Sequence, residues 1–129
     1  MYKKVLSNKY MEKYMNIEFI NKWLNQLKDY WINKNIDGIK TIFNKTTYYQ
    51  ETPFMKPYTT IDEIVDDWQY VENETIQDIS FNILAVDNNT VIVNWKLKQN
   101  NENFDGIYEI KFDDELNCIY FKSWEMENK

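Results

Sequence analysis

Two prolines divide this chain into a helical part and a strand-rich part, and that division constrains the fold more than any other feature. Before them, Ile20, Trp23, Leu24, Leu27 and Trp31 recur at helical spacing behind an N-cap at Asn16. A break at Asn33-Lys34-Asn35 precedes a second, short helix, with Asp37 as its cap and Ile39, Ile42 and Phe43 inward. Residues 46–51 are rich in Thr and Tyr and predict a strand. Pro53 and Pro57 then exclude a regular central strand and mark a loop. Thr60-Ile61-Asp62-Glu63 reads as a capping box that opens a third helix, with Ile64, Val65 and Trp68 inward and an end near Asn73.

Beyond that helix the period changes from 3.6 to 2. Strands are expected over residues 75–86, 90–98, 106–112 and 117–126. In the first, Ile79, Phe81, Ile83 and Ala85 alternate with polar residues; in the second, Val91, Val93, Trp95 and Leu97 do so. Asp87-Asn88-Asn89 is a hairpin turn, residues 99–103 form a longer loop, and Asp113-Asp114-Glu115 is a turn. Helices first and antiparallel strands after them predict an α+β fold: three N-terminal helices packed on a strongly curved antiparallel sheet, with space for a pocket between the layers. Residues 1–15 read as an N-terminal arm and 16–129 as one domain. Ile76, Leu84, Val86 and Ile92 supply a second apolar set on the outer sheet face, which predicts a homodimer through that face.

The residue types that are missing exclude whole classes of function. The chain has no His, and its 15 basic residues are all lysines. Imidazole bases, serine triads and papain-like dyads are therefore excluded, as is bidentate guanidinium recognition of carboxylate or phosphate. A net charge of −6 leaves no basic footprint for nucleic acid. The single Cys118, in an expected strand, cannot form an internal disulfide or a multi-cysteine zinc site. No cofactor and no metal are expected. No apolar run is long enough to span a membrane, and residues 1–20 lack the apolar core of a secretion signal, so a cytoplasmic location is expected.

Several short segments together carry a family resemblance: Asp37-Gly38-Ile39 to Phe43, Glu51-Thr52-Pro53-Phe54, Thr60 to Trp68, Gly106-Ile107-Tyr108 to Phe112-Asp113, and Trp124. In that order the chain resembles the SnoaL-like branch of the nuclear transport factor 2 (NTF2) superfamily over roughly residues 17–126. The resemblance implies a conical α+β fold. It leaves activity open, because the superfamily includes isomerases, cyclases, dehydratases, epoxide hydrolases and non-catalytic binders. Ketosteroid isomerases of this fold are similar in Asp-Gly-Ile, but Thr52 stands where their proton-abstracting Asp would be. Their oxyanion Tyr falls near Leu27 and their neutral Asp donor near Tyr108, so of these positions only Tyr108 keeps a donor. Dehydratases needing His, and limonene epoxide hydrolases needing Arg, are excluded by composition. SnoaL-type cyclases, which chiefly need one acid in the cavity, are the least excluded.

The candidate pocket residues are rings and one acid: Trp31, Tyr49, Phe54, Trp68, Trp95, Tyr108 and Trp124, with Glu51 on the same strand face as Tyr49. Tyr and Trp carry polar handles, which suits a ligand wall better than a dry core. Glu51 is the candidate acid or base, with Tyr108 as the accompanying donor; in an aromatic cone, desolvation would raise its pKa. The bland alternative places Glu51 on the rim, bonded to backbone or to Lys56. Asp66 and Asp67 read as solvated helix charges, with Asp67 or Trp68 able to reach the cavity mouth. Three functions follow: a binder of a small apolar or aromatic molecule, an acid–base isomerase, dehydratase or cyclase using Glu51, or a dimeric association module.

Overall fold

The structure is a computed structural model that describes residues 16–127. The expected N-terminal arm, residues 1–15, lies outside the described residues. Helix α1 (Ile17–Ile32) begins where Asn16 accepts a hydrogen bond from the Phe19 amide, at 2.8 Å. Its stripe of Ile20, Trp23, Leu24, Leu27 and Trp31 is buried. Helix α2 (Ile36–Ile42) is capped by Asn35, whose side chain accepts from the Gly38 amide, and not by Asp37 as the sequence suggested. Gly38 is needed there because any Cβ would strike the Tyr30 ring of α1. Strand β1 (Tyr48–Gln50) is shorter than the expected strand. Helix α3 (Ile61–Trp68) carries the anticipated Thr60–Glu63 capping box and passes into a 3-10 turn over Gln69–Asn73.

Four long strands follow: β2 (Ile76–Asp87), β3 (Thr90–Gln99), β4 (Glu102–Phe112) and β5 (Cys118–Glu127). The sheet order is β1-β5-β4-β3-β2. The four long strands pair antiparallel, while β1 pairs parallel with β5, so the five-stranded sheet is mixed. That difference arises because β1 comes from the helical half and reaches its neighbour across the whole chain. The predicted longer loop at 99–103 is a two-residue turn: Gln99 pairs with Glu102, and Asn100 and Asn101 both take positive φ, at 52° and 63°. Asparagine tolerates that conformation, which suits a tight hairpin. The Asp113 turn is held by its own carboxylate, which accepts from the Glu115 and Asn117 amides, each at 2.9 Å.

Three irregularities in two strand pairings decide which side chains face inward. In β2, Ile83 pairs with Val93 but Ala85 pairs with Ile92, leaving Leu84 as an extra residue. A bulge reverses the alternation, so Val86 turns toward the core and Ala85 outward. A second irregularity at Gln77 turns Ile76 inward as well. Ile76 and Val86, expected on the outer face, are therefore partly buried against the core, while Leu84 is 53% exposed. In β5, Phe112 pairs with Cys118 and Lys111 with Tyr120, so Ile119 is the extra residue.

Candidate functional site

The helical layer and the inner sheet face do not close completely. Between them lies a cavity of about 310 Å³, near the lower end of small-molecule sites. Trp31 comes from the end of α1, Asp67 and Trp68 from the end of α3, and Tyr70 from the 3-10 turn. Trp95, Leu97 and Gln99 come from alternate positions of β3, Phe104 and Tyr108 from β4, and Phe121, Ser123 and Glu125 from β5. Tyr49 on β1 and Glu51 just after it complete the wall. The rings stand in defined pairs. Trp31 meets Trp68 edge-on at 5.1 Å, Trp95 stacks on Tyr108 at 5.5 Å, and Tyr49 stacks on Phe121 at 5.2 Å.

Local sequence explains two of these placements. Gly106 lies opposite Trp95 in the β3–β4 register, and a Cβ there would collide with the Trp95 ring and the Trp124 carbonyl. Glycine thus lets the indole lie flat across β4, where its N–H donates to Ser123 Oγ at 3.1 Å. Tyr49 is fixed on both sides: its backbone exchanges hydrogen bonds with Tyr58 at 3.0 and 2.8 Å, while β1 pairs with β5. Residues 51–57 are therefore an excursion with pinned ends.

Five of the seven rings singled out in the sequence meet around the cavity: Trp31, Tyr49, Trp68, Trp95 and Tyr108. Glu51 and Asp67 face it too. Phe54 and Trp124 do not, and their expected place in the wall is corrected. Phe54 sits at the tip of the pinned excursion and is fully exposed. From the inside of that turn the Gln50 side-chain amide donates to the Pro53 and Met55 carbonyls. Trp124 points to the outer face, where the Lys122 ammonium lies 4.7 Å from its ring centroid. Counting alternation from buried Cys118 puts Trp124 inside; the bulge at Ile119 reverses it and sends Phe121, Ser123 and Glu125 inward instead. Tyr70, Gln99 and Phe104 were not anticipated. The Asn-Asn pair at 100–101 was the available signal for the last two, since a tight turn there extends both inward-facing rows.

Glu51 is the electrostatic centre of the cavity. Tyr49 donates its hydroxyl to Glu51 Oε1 at 2.9 Å, and Tyr58 donates to Asp67 Oδ1 at 3.1 Å. The Glu51 carboxyl is pushed up to about 8, first by burial, then by the Asp67 carboxyl beside it acting as hydrogen-bond partner and as charge. Glu51 as a residue is half-buried, and it is the burial around its carboxyl that dominates the shift. A proton on Glu51 would supply Asp67 Oδ2 with the donor it otherwise lacks among the described residues. Burial also holds the Tyr49 and Tyr108 hydroxyls well above the usual phenol range, so both remain donors.

Four buried polar atoms of the wall have no hydrogen bond among the described residues: Trp31 Nε1, Trp68 Nε1, Asp67 Oδ2 and Gln99 Oε1. The Trp31 N–H lies close enough to the Tyr70 oxygen to favour its phenolate, yet falls short of good hydrogen-bond geometry. Buried unpaired groups each cost about 1–3 kcal/mol, and here all four border one cavity.

The fold is that of NTF2-like proteins. It matches an NTF2-like protein of unknown function from Burkholderia xenovorans with a TM-score of 0.71 at 11% identity, over 89% of this chain and 88% of that one. A steroid delta-isomerase from Pseudomonas aeruginosa matches with a TM-score of 0.63 at 17% identity, over 82% and 78% of the two chains. An LEH-like epoxide hydrolase from Mycobacterium tuberculosis matches with a TM-score of 0.62 at 11% identity, over 81% and 80%. No protein-family model matches the sequence, and no curated protein matches it. At these identities the likeness shows the fold alone, and that fold serves isomerases and hydrolases alike.

Proposed function

We propose that the protein binds a small molecule in the cavity between the helices and the inner sheet face. The observation that carries this reading is the convergence on one ring-lined space of buried polar atoms without hydrogen bonds among the described residues: the Trp31 and Trp68 N–H groups and the Gln99 side-chain oxygen. A core built only for stability would satisfy such groups or replace them with apolar ones. Trp31, Tyr49, Trp68, Trp95 and Tyr108 supply the apolar contact, and Glu51 supplies a titrating group. Ligand titration followed by tryptophan fluorescence tests the reading, because three of the five tryptophans border the cavity. Trp95→Ala should weaken binding roughly tenfold or more through lost ring contact. Binding unchanged in that variant would place the ligand elsewhere.

A second reading is acid–base catalysis on the bound molecule. It is favoured by the Glu51 carboxyl, which at about 8 exchanges its proton near neutral pH, and by the Tyr108 hydroxyl on the same cavity. Glu51→Gln separates the two readings. For an enzyme it abolishes turnover and leaves affinity nearly unchanged; for a binder there is no turnover to lose.

A further inference from the structure

Resting on the binding reading above, the geometry points to a specific ligand class: a protonated organic amine, held with its N–H groups toward Asp67 and Gln99 and its carbon body among the rings. Three observations carry this. The cavity wall contains three carboxyl residues, Glu51, Asp67 and Glu125, and no lysine; the chain has no Arg or His to supply another cation. The same wall is lined by Trp, Tyr and Phe rings, the side chains whose faces attract an organic cation. Finally, Gln99 Oε1 is a buried acceptor without a donor among the described residues, and Asp67 Oδ2 becomes one as soon as Glu51 gives up its proton. A carboxylate ligand would meet acidic side chains and no lysine in the wall, and a hydrocarbon would leave the Gln99 oxygen unpaired. A quaternary ammonium suits the rings but has no N–H to give. The Trp68 N–H, also unpaired, would donate to an ether or hydroxyl oxygen on the same ligand.

Charge linkage gives the assignment an independent signature. The groups that face Glu51 are Tyr49, Tyr58, Asp67, Tyr70, Tyr108 and Glu125, all of them acids. Burial and those carboxyls hold the Glu51 proton on. An ammonium ion in the cavity favours the ionised form. Binding therefore releases a proton, and affinity rises with pH up to about 8, where the free protein loses that proton itself.

The test uses benzylamine, benzyl alcohol and benzoate as matched probes, read by nitrogen–proton correlation spectra of the indole groups. Trp31, Trp68 and Trp95 border the cavity, whereas Trp23 lies in the core and Trp124 on the outer face, so each spectrum carries its own controls. Benzylamine is expected to shift the cavity indoles at roughly tenfold or more lower concentration than benzyl alcohol, and benzoate to leave them unmoved. Asp67→Asn should weaken benzylamine about tenfold without weakening the alcohol, and Glu51→Gln should remove the rise of affinity with pH. If the alcohol or benzoate shifts the cavity indoles as readily as the amine, the amine assignment is overturned and the binding reading stands. If tetramethylammonium surpasses benzylamine, the N–H contacts to Asp67 and Gln99 are overturned. If none of the probes moves these indoles at millimolar concentration, both readings are overturned for small aromatic ligands of any charge.

Discussion

Glu51 and Asp67 put two carboxyls where one proton serves both. The sign of the pH effect follows from the direction of the Glu51 shift. Its folded pKa, about 8, lies above the usual 4.5, so the folded state holds a proton that the unfolded chain gives up. That stabilisation is complete below about 4.5 and is lost as pH rises toward about 8. Thermal melts should therefore show the protein losing stability across that range. Glu51→Gln should flatten the dependence and, near pH 8, exceed the native chain by on the order of 2 kcal/mol; coincident pH profiles for the two proteins would refute the shared proton. Gly106 offers a second test at this scale. Gly106→Ala drives a methyl into the Trp95 ring and the Trp124 carbonyl. Urea unfolding should register a loss of about 1–3 kcal/mol, together with a changed Trp95 environment in fluorescence.

At the scale of elements, helix α3 positions Asp67 and Trp68 in its last turn, and its start is fixed by Thr60 and Glu63. Thr60→Ala should cost about 1 kcal/mol in chemical unfolding, and Thr60→Ser should restore most of it. These starts were legible in the sequence because capping chemistry is local: Asn16 and Thr60 both act within three residues of themselves. The row of Val91, Val93, Trp95 and Leu97 was legible for a similar reason, since β3 runs without a bulge against β4. Bulges were not legible. Nothing in the residue types at Leu84 or Ile119 announces an extra residue, because the irregularity depends on how the neighbouring strand pairs. Trp124 was misplaced for that reason, and Ser123 and Glu125 were missed with it. For Asp67 the sequence left two readings open, a solvated helix charge or a place at the cavity mouth; its pairing with Glu51, from a different element, was not legible because nothing local links them.

For the molecule as a whole, the sheet has a second face to account for. Trp124 and Met126 are 37% and 64% exposed there, and Leu84 lies bare at its bulge. The expectation that this face joins two copies predicts a dimer in sedimentation at tens of micromolar, and a monomer for Trp124→Glu combined with Met126→Glu. A native chain that sediments as a monomer at that concentration removes the expectation. Among the described residues, no helix is long and apolar enough to cross a membrane. The parallel pairing of β1 with β5 has a consequence for the order of events during synthesis. The Thr46 hydroxyl bonds to the Cys118 carbonyl 72 residues later, and Tyr49 pairs with Phe121. A nascent chain emerges from its N-terminal end, so the segment that carries Glu51 waits, without its partner strand, until β5 has been translated. The helices can form early from local contacts, but the acid that defines the cavity is seated only once β5 has left the ribosome, after the other three long strands.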